Sequence, residues 1–257
     1  MTERVFLSET SGPIVLGISL PVGSVRIQVI DNLTTARVVL RTDDTTGPAA
    51  DAVNGARSRQ NGQAFGIEVP EMPGNVMTQS RRGNRIVQNF GTVYGSVTGM
   101  TVVNGRVISG GMDTMQTVSP IEATVCVPPR SSLAVVSQAA DAAVYGDVER
   151  IEFRSISGDL YADGARDLRA NTTSGDIRAG RVTEQITAQS VSGDIQVGSY
   201  DGRGASLDTT SGDITVQATN GAAGHVSAHS VSGDVRISGA GHLSVSANTV
   251  SGRVRNH

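Results

Sequence analysis

The sequence predicts an all-β protein whose C-terminal half winds into a short β-solenoid, preceded by an N-terminal β region that carries an insertion. Three observations predict it. A tripeptide recurs at near-constant spacing, apolar residues alternate on both sides of it, and the 257-residue chain has no tryptophan and only 3% aromatic residues.

The tripeptide Ser-Gly-Asp stands at 157–159, 174–176, 192–194, 211–213 and 232–234, with a variant Ser-Gly-Arg at 251–253. Its glycines, Gly158, Gly175, Gly193, Gly212, Gly233 and Gly252, are 17, 18, 19, 21 and 19 residues apart. Two residues after each glycine comes Leu160, Ile177, Ile195, Ile214, Val235 or Val254. Five before it stands Phe153, Ala170, Ala188, Leu207, Ala228 or Ala247, and seven before it Ile151, Leu168, Ile186, Ala205, Val226 or Val245. Polar residues fill the places between, so each repeat carries two short, half-buried strands joined at a glycine corner.

A unit this short has no room for a helix beside its strands, and it cannot bury its own apolar face. Stacked in register, such units share one continuous core. Small branched side chains suit that narrow interior and offer few platforms for stacking sugars or bases. The corner glycines are expected to turn the chain at φ > 0, with Ser and Asp hydrogen-bonding local backbone groups.

Upstream, the chain also reads as β. Apolar positions alternate in Val25/Ile27/Val29 and in Ala36/Val38/Leu40, and Pro21-Val-Gly-Ser and Asp31-Asn-Leu-Thr mark turns. Residues 51–62 are polar and read as a short helix or a loop. Residues 72–118 hold five of the six methionines, many glycines and the basic cluster Arg81-Arg82…Arg85. Within them, Arg85–Phe90 is a strand candidate, and Thr101–Val103, Asn104-Gly105 and Arg106–Ile108 suggest a hairpin. The strand Ile121–Val127 and then Leu133–Val136 lead into the repeats. The expected division is residues 1–120, including the Gly/Met-rich insertion, and residues 121–257, the solenoid.

Charge and chemistry exclude several classes. The 21 basic residues are all arginine and the net charge is −3, so nothing favours nucleic acid as a partner. Cys126 is the only cysteine, in an apolar run where a buried, inert thiol is expected. No stretch is long and apolar enough for a membrane span, and no basic segment followed by a long apolar one opens the chain. The expected location is the cytoplasm, with peripheral envelope association as a further option. Serine-hydrolase, phosphate-loop, zinc-protease and paired-cysteine motifs are absent. The aspartates 159, 176, 194, 213 and 234 would stack into an acidic ladder, but they lack the Gly-Gly-x-Gly-x-Asp repeat of calcium β-rolls. His225 and His229 would share an outer strand face without a third metal ligand. No cofactor or metal is expected.

The Ser-Gly-Asp-Ile-x-Val copies, and the opening Gly12-Pro-Ile-Val-Leu…Leu20-Pro-Val-Gly-Ser-Val-Arg-Ile, resemble a bacterial family of β-strand-repeat proteins known as putative adhesins, a domain of unknown function. The resemblance implies a β-solenoid and association with a surface or envelope, and it brings no catalytic residues. Function is therefore expected to be structural or binding: a scaffold that self-associates, or an adhesin-like module holding a protein or envelope partner. Arg81, Arg82, Arg85 and Met100 are the candidate partner-binding residues, because flexible methionine beside glycine suits an adaptable contact. Arg253 and Arg255, on the last coil, are the candidates for self-association into a homo-oligomer. They equally fit protection of an open edge by charge. The rival reading is a polysaccharide-active solenoid enzyme using the aspartate ladder.

Overall fold

In the computed structural model, residues 1–73 and 117–256 are described in full; between them the backbone of 76–82, 85–90, 100–103, 106–109 and 116 is described. The N-terminal elements are β1 (Thr2–Leu7), β2 (Val15–Val29), β3 (Arg37–Thr42), α1 (Pro48–Gly55), β4 (Arg57–Asn61) and β5 (Ala64–Glu68). Short strands follow: β6 (Val76–Arg82), β7 (Arg85–Phe90), β8 (Met100–Val103), β9 (Arg106–Ser109) and β10 (Gln116–Val118). The solenoid strands are β11 (Ile121–Val127), β12 (Ser132–Ser155), β13 (Leu160–Thr172), β14 (Ile177–Ser192), β15 (Ile195–Tyr200), β16 (Gly204–Ser211), β17 (Ile214–Ala218), β18 (His225–Ser232), β19 (Val235–Ser238), β20 (Ser244–Ser251) and β21 (Val254–Asn256).

The repeat positions stack as their spacing predicts. After the corner, Leu160, Ile177, Ile195, Ile214, Val235 and Val254 are successive partners in parallel ladders. Before it, Ile151, Leu168, Ile186, Ala205, Val226 and Val245 form a second column, and Phe153, Ala170, Ala188, Leu207, Ala228 and Ala247 a third. All but the last-coil members are buried. Small residues facing larger ones, as Ala188 faces Leu207 along its column, keep the interior narrow and closely packed.

The winding begins well before residue 121. Strand β2 runs parallel to β12 from the Ser132–Val15 pair to the Tyr145–Gln28 pair. On its other edge lie β5 and β11, both parallel to it. One hydrophobic cluster extends from Phe6 through Leu20 and Phe153 to Ala240, crossing residues 120 and 121 without a break. Pro21-Val-Gly-Ser is thus a bend inside a continuous strand, not a turn between two strands. The turn read at Asp31 is present, with the Leu33 N–H donating to Ile30 O at 3.0 Å.

The N-terminal end of the stack is closed by structure of a different kind. β3 pairs antiparallel with β11 and with β1, and β4 pairs antiparallel with β5. Helix α1 buries Ala49, Ala50, Ala52 and Val53; Pro48 starts it, where a missing N–H costs nothing. In the inserted region β6 pairs antiparallel with β7, and β8 with β9, the latter closing on Val103–Arg106 as the Asn-Gly hairpin reading expects. Cys126 corrects the sequence reading. Ile121, Ala123, Val125 and Val127 take the inward places of β11, which turns Cys126 to the outer face, partly exposed.

Candidate functional site

Each Ser-Gly-Asp corner is built by the coil beneath it. A Cβ added to Gly193 would lie 2.6 Å from the carbonyl carbon of Gly175 and closer still to its oxygen; Gly175, Gly212 and Gly252 meet the preceding corner glycine in the same way. Only Gly233 of the six has a positive φ, at 155°. The expectation that these glycines serve left-handed turns is therefore corrected. They are glycine because stacked backbones touch there.

Three residues before each corner stands a hydroxyl. The Thr172, Ser190, Thr209, Ser230 and Thr249 side chains donate to the carbonyls of Gly158, Gly175, Gly193, Gly212 and Gly233, one coil back, at 2.9–3.5 Å. Four of the five, all but Thr249, are buried polar groups, and each satisfies an acceptor that lies outside the strand ladders.

The aspartates work between coils and not locally. Oδ1 of Asp159, Asp176, Asp194 and Asp213 accepts the backbone N–H of the next repeat aspartate at 2.8–2.9 Å, and Asp234 accepts the Arg253 N–H at 3.0 Å. One oxygen of every carboxylate is thus committed to the stack. The other meets arginine in three cases, Arg178 on Asp176 at 2.7 Å, and Arg236 on both Asp234 at 2.6 Å and Asp213 at 3.3 Å. A tuned acid–base pair needs two carboxylates in unlike surroundings; these surroundings repeat.

Two outer features differ from the rest of the rod. The first is a groove of about 470 Å³ running across four coils. One wall is the column Gln189, Asp208, His229 and Asn248, and the other is Thr210, Val231 and Val250. Ser206 donates to Asp208 at 3.3 Å, and Ser227 Oγ is 2.9 Å from His229 Nε2. His225 instead meets Ser244, at 3.4 Å. Among the described residues no three His, Cys, Asp or Glu side chains are grouped to hold a metal.

The second is the last coil. Val245 and Ala247 are only partly buried, and Val254 is 44% exposed, although their counterparts in every earlier coil are buried. Arg253 occupies the aspartate place there, and Arg255 pairs in register with Arg236. The side chains of Arg81, Arg82, Arg85 and Met100 lie outside the described residues.

A family model, Toastrack DUF4097, matches residues 66–257. The chain belongs to the Toastrack DUF4097 family. The match takes in the end of β5 and every coil strand after it, and so includes the ladders that hold the corners. Among solved structures, this toastrack protein is similar in fold to a putative adhesin from Bacteroides fragilis, with a TM-score of 0.52 and 12% identity over all of this chain and 97% of that one. A putative adhesin from Parabacteroides merdae (TM-score 0.46, 10% identity, all of this chain and 96% of that one) and a putative cell adhesion protein from Clostridium sporogenes (0.36, 7%, all and 99%) also match. No curated protein matches the chain. The toastrack family is one of unknown function, and its model names no enzyme. No helix of the described residues is long and apolar enough to cross a membrane.

The hydroxyl column and the groove were the residues that sequence reasoning did not single out. The hydroxyls had a signal: the third residue before every corner glycine is Ser or Thr. The groove had a weaker one, since Ile156, Thr173, Val191, Thr210, Val231 and Val250, two before each glycine, are all β-branched though they face outward.

Proposed function

We propose that this protein is a non-enzymatic interaction scaffold that self-associates through its last coil. The observation that carries the reading is the asymmetry of the two ends. At the N-terminal end, antiparallel strands and α1 lie over the first coils. At the other, β20 and β21 have a ladder partner on one edge only, and the core-type residues Val245, Ala247 and Val254 are uncovered.

Unpaired parallel edges recruit further strands, and a second copy offers the same unpaired edge. The N-terminal end also has open strand edges, those of β1 and β4, but they belong to antiparallel strands and not to a coil, so a head-to-tail filament would have to join unlike edges. The joint is coil end to coil end, which closes as a two-fold dimer. Arg253 and Arg255 are the charged groups of this coil and set the register of the joint, against carbonyls or the aspartate column of the second copy.

Light scattering at two concentrations tests it. The intact protein is expected at twice the chain mass, and Ala247→Asp with Val254→Arg at the chain mass. A monomeric intact protein overturns the proposal. A dimer that survives the double substitution does too, since it places the contact elsewhere.

A further inference from the structure

The groove on the β14–β16–β18–β20 face presents chemistry that the fold uses only in part, with Asp208 accepting from Ser206 and His229 meeting Ser227. Its floor is already committed: the Ser190, Thr209 and Ser230 hydroxyls donate to glycine carbonyls, and the backbone of β14, β16 and β18 is used in parallel ladders on both sides, with only β20 keeping one edge open at the end of the stack. A ligand here meets only the two walls. One wall offers an amide, a carboxylate, an imidazole and a second amide at successive coils, about 4.8 Å apart. The other offers branched methyl groups, with Val231 49% and Val250 80% exposed.

Charge and backbone together select the ligand class. Among the described residues Asp208 is the one acidic group lining the groove and no arginine lines it, so an anionic polymer finds no cation there to pair with. An extended peptide lying along the groove crosses the coils and finds no strand edge to extend, because β-augmentation needs an unpaired edge parallel to the peptide, and the open edge of β20 bounds the groove's end and does not run along it. What fits is a chain with hydroxyls along its edges and C–H groups on its faces, repeating at close to the strand spacing. A β-1,4-linked pyranose chain has that form and advances per ring by a distance close to one strand spacing.

We propose that the groove binds a neutral, extended β-linked glycan, one sugar ring per coil, with Gln189, Asp208, His229 and Asn248 on its hydroxyls and Thr210, Val231 and Val250 against its C–H face. The inference rests on the reading of the chain as a binding protein and is independent of its self-association. Without aromatic platforms the interaction is weak for a single ring and is built up by repetition along the groove.

The test is calorimetric or NMR titration of the intact protein with β-1,4-linked oligomers of glucose and of N-acetylglucosamine, two to six rings long. Affinity is expected to rise with each ring up to four and then level off. His229→Ala with Asn248→Ala should weaken hexamer binding at least fivefold, and Val231→Arg should abolish it, with melting temperatures unchanged because all three side chains face outward. Absence of binding by both oligomer series overturns the proposal. So does equal affinity for two rings and six, indifference to the substitutions, or tighter binding of an oligogalacturonate or an extended peptide. Light scattering on the same samples separates failure here from failure of the dimer.

Discussion

The carbonyl of Gly175 occupies the space that a side chain on Gly193 would need: an added Cβ would stand 2.6 Å from its carbon. The two residues belong to successive coils, and the same relation holds along the whole corner column. The minimum separation of the coils is therefore set by backbone touching backbone, which explains why a flexible residue recurs in an otherwise rigid rod.

The consequence is that even the smallest side chain is refused. Gly193→Ala should destabilise by about 3 kcal/mol, the upper part of the range for overpacking, and lower Tm by about 6–12 °C for a chain of this size. Gly204→Ala is the control. That glycine lies in β16 with no atom within 4 Å of a built Cβ and without a positive φ, so its replacement should be neutral or slightly stabilising. Equal melting temperatures for the two variants would show that the coils can part without cost.

The hydroxyl column makes a separate prediction. Thr209 Oγ1 donates to Gly193 O at 3.1 Å from a buried position. Thr209→Val keeps the shape and removes the donor, leaving a buried carbonyl unpaired at a cost of about 1–3 kcal/mol. Thr209→Ser keeps the donor and loses a methyl, worth about 0.8 kcal/mol. Urea denaturation should rank the wild type first, then Ser, then Val. Val equal to the wild type would mean that water reaches the Gly193 carbonyl.

Much of this was legible because a repeat multiplies its own signal. Six copies fix the inward columns from Ile151 to Val254, the corner glycines, and the strands on either side. Where the repeat lapses, so does the reading. Strand β2 belongs to the same stack, yet it carries no Ser-Gly-Asp and bends at Pro21 and Gly23, which punctuate like a turn. Strand β4, Arg-Ser-Arg-Gln-Asn, is polar throughout because it is an outer antiparallel strand with no buried face, so no alternation announces it. The role of the corner glycines was misread for a physical reason: a sequence shows that a side chain is refused but not whether torsion or a neighbour refuses it. The groove escaped because its walls come from four coils, and neighbours along a column are about twenty residues apart in the chain.

The last prediction concerns Tyr200, which is fully buried in the C-terminal half and whose hydroxyl has no hydrogen-bond partner among the described residues. Burial raises its pKa from the ordinary 10.0 to about 12; the nearby Gly204 backbone pulls against the rise, and Glu184 adds to it. The folded state thus favours the neutral phenol more than the unfolded chain does. Stability from this source is whole below pH 10 and is lost as pH rises from 10 through about 12, because the unfolded tyrosine sheds its proton first. Tyr161, exposed and raised by its hydrogen bond to Asp163, titrates alike in both proteins compared. Tyr200→Phe removes both the ionisable group and the unpaired hydroxyl. At pH 7 it should be as stable as the wild type or more so, by up to about 1 kcal/mol. Between pH 10 and 12 its urea midpoint should fall less steeply. A loss of more than about 1 kcal/mol at pH 7 would reveal a hydrogen bond on the hydroxyl, and parallel midpoints above pH 10 would assign the alkaline loss to other groups.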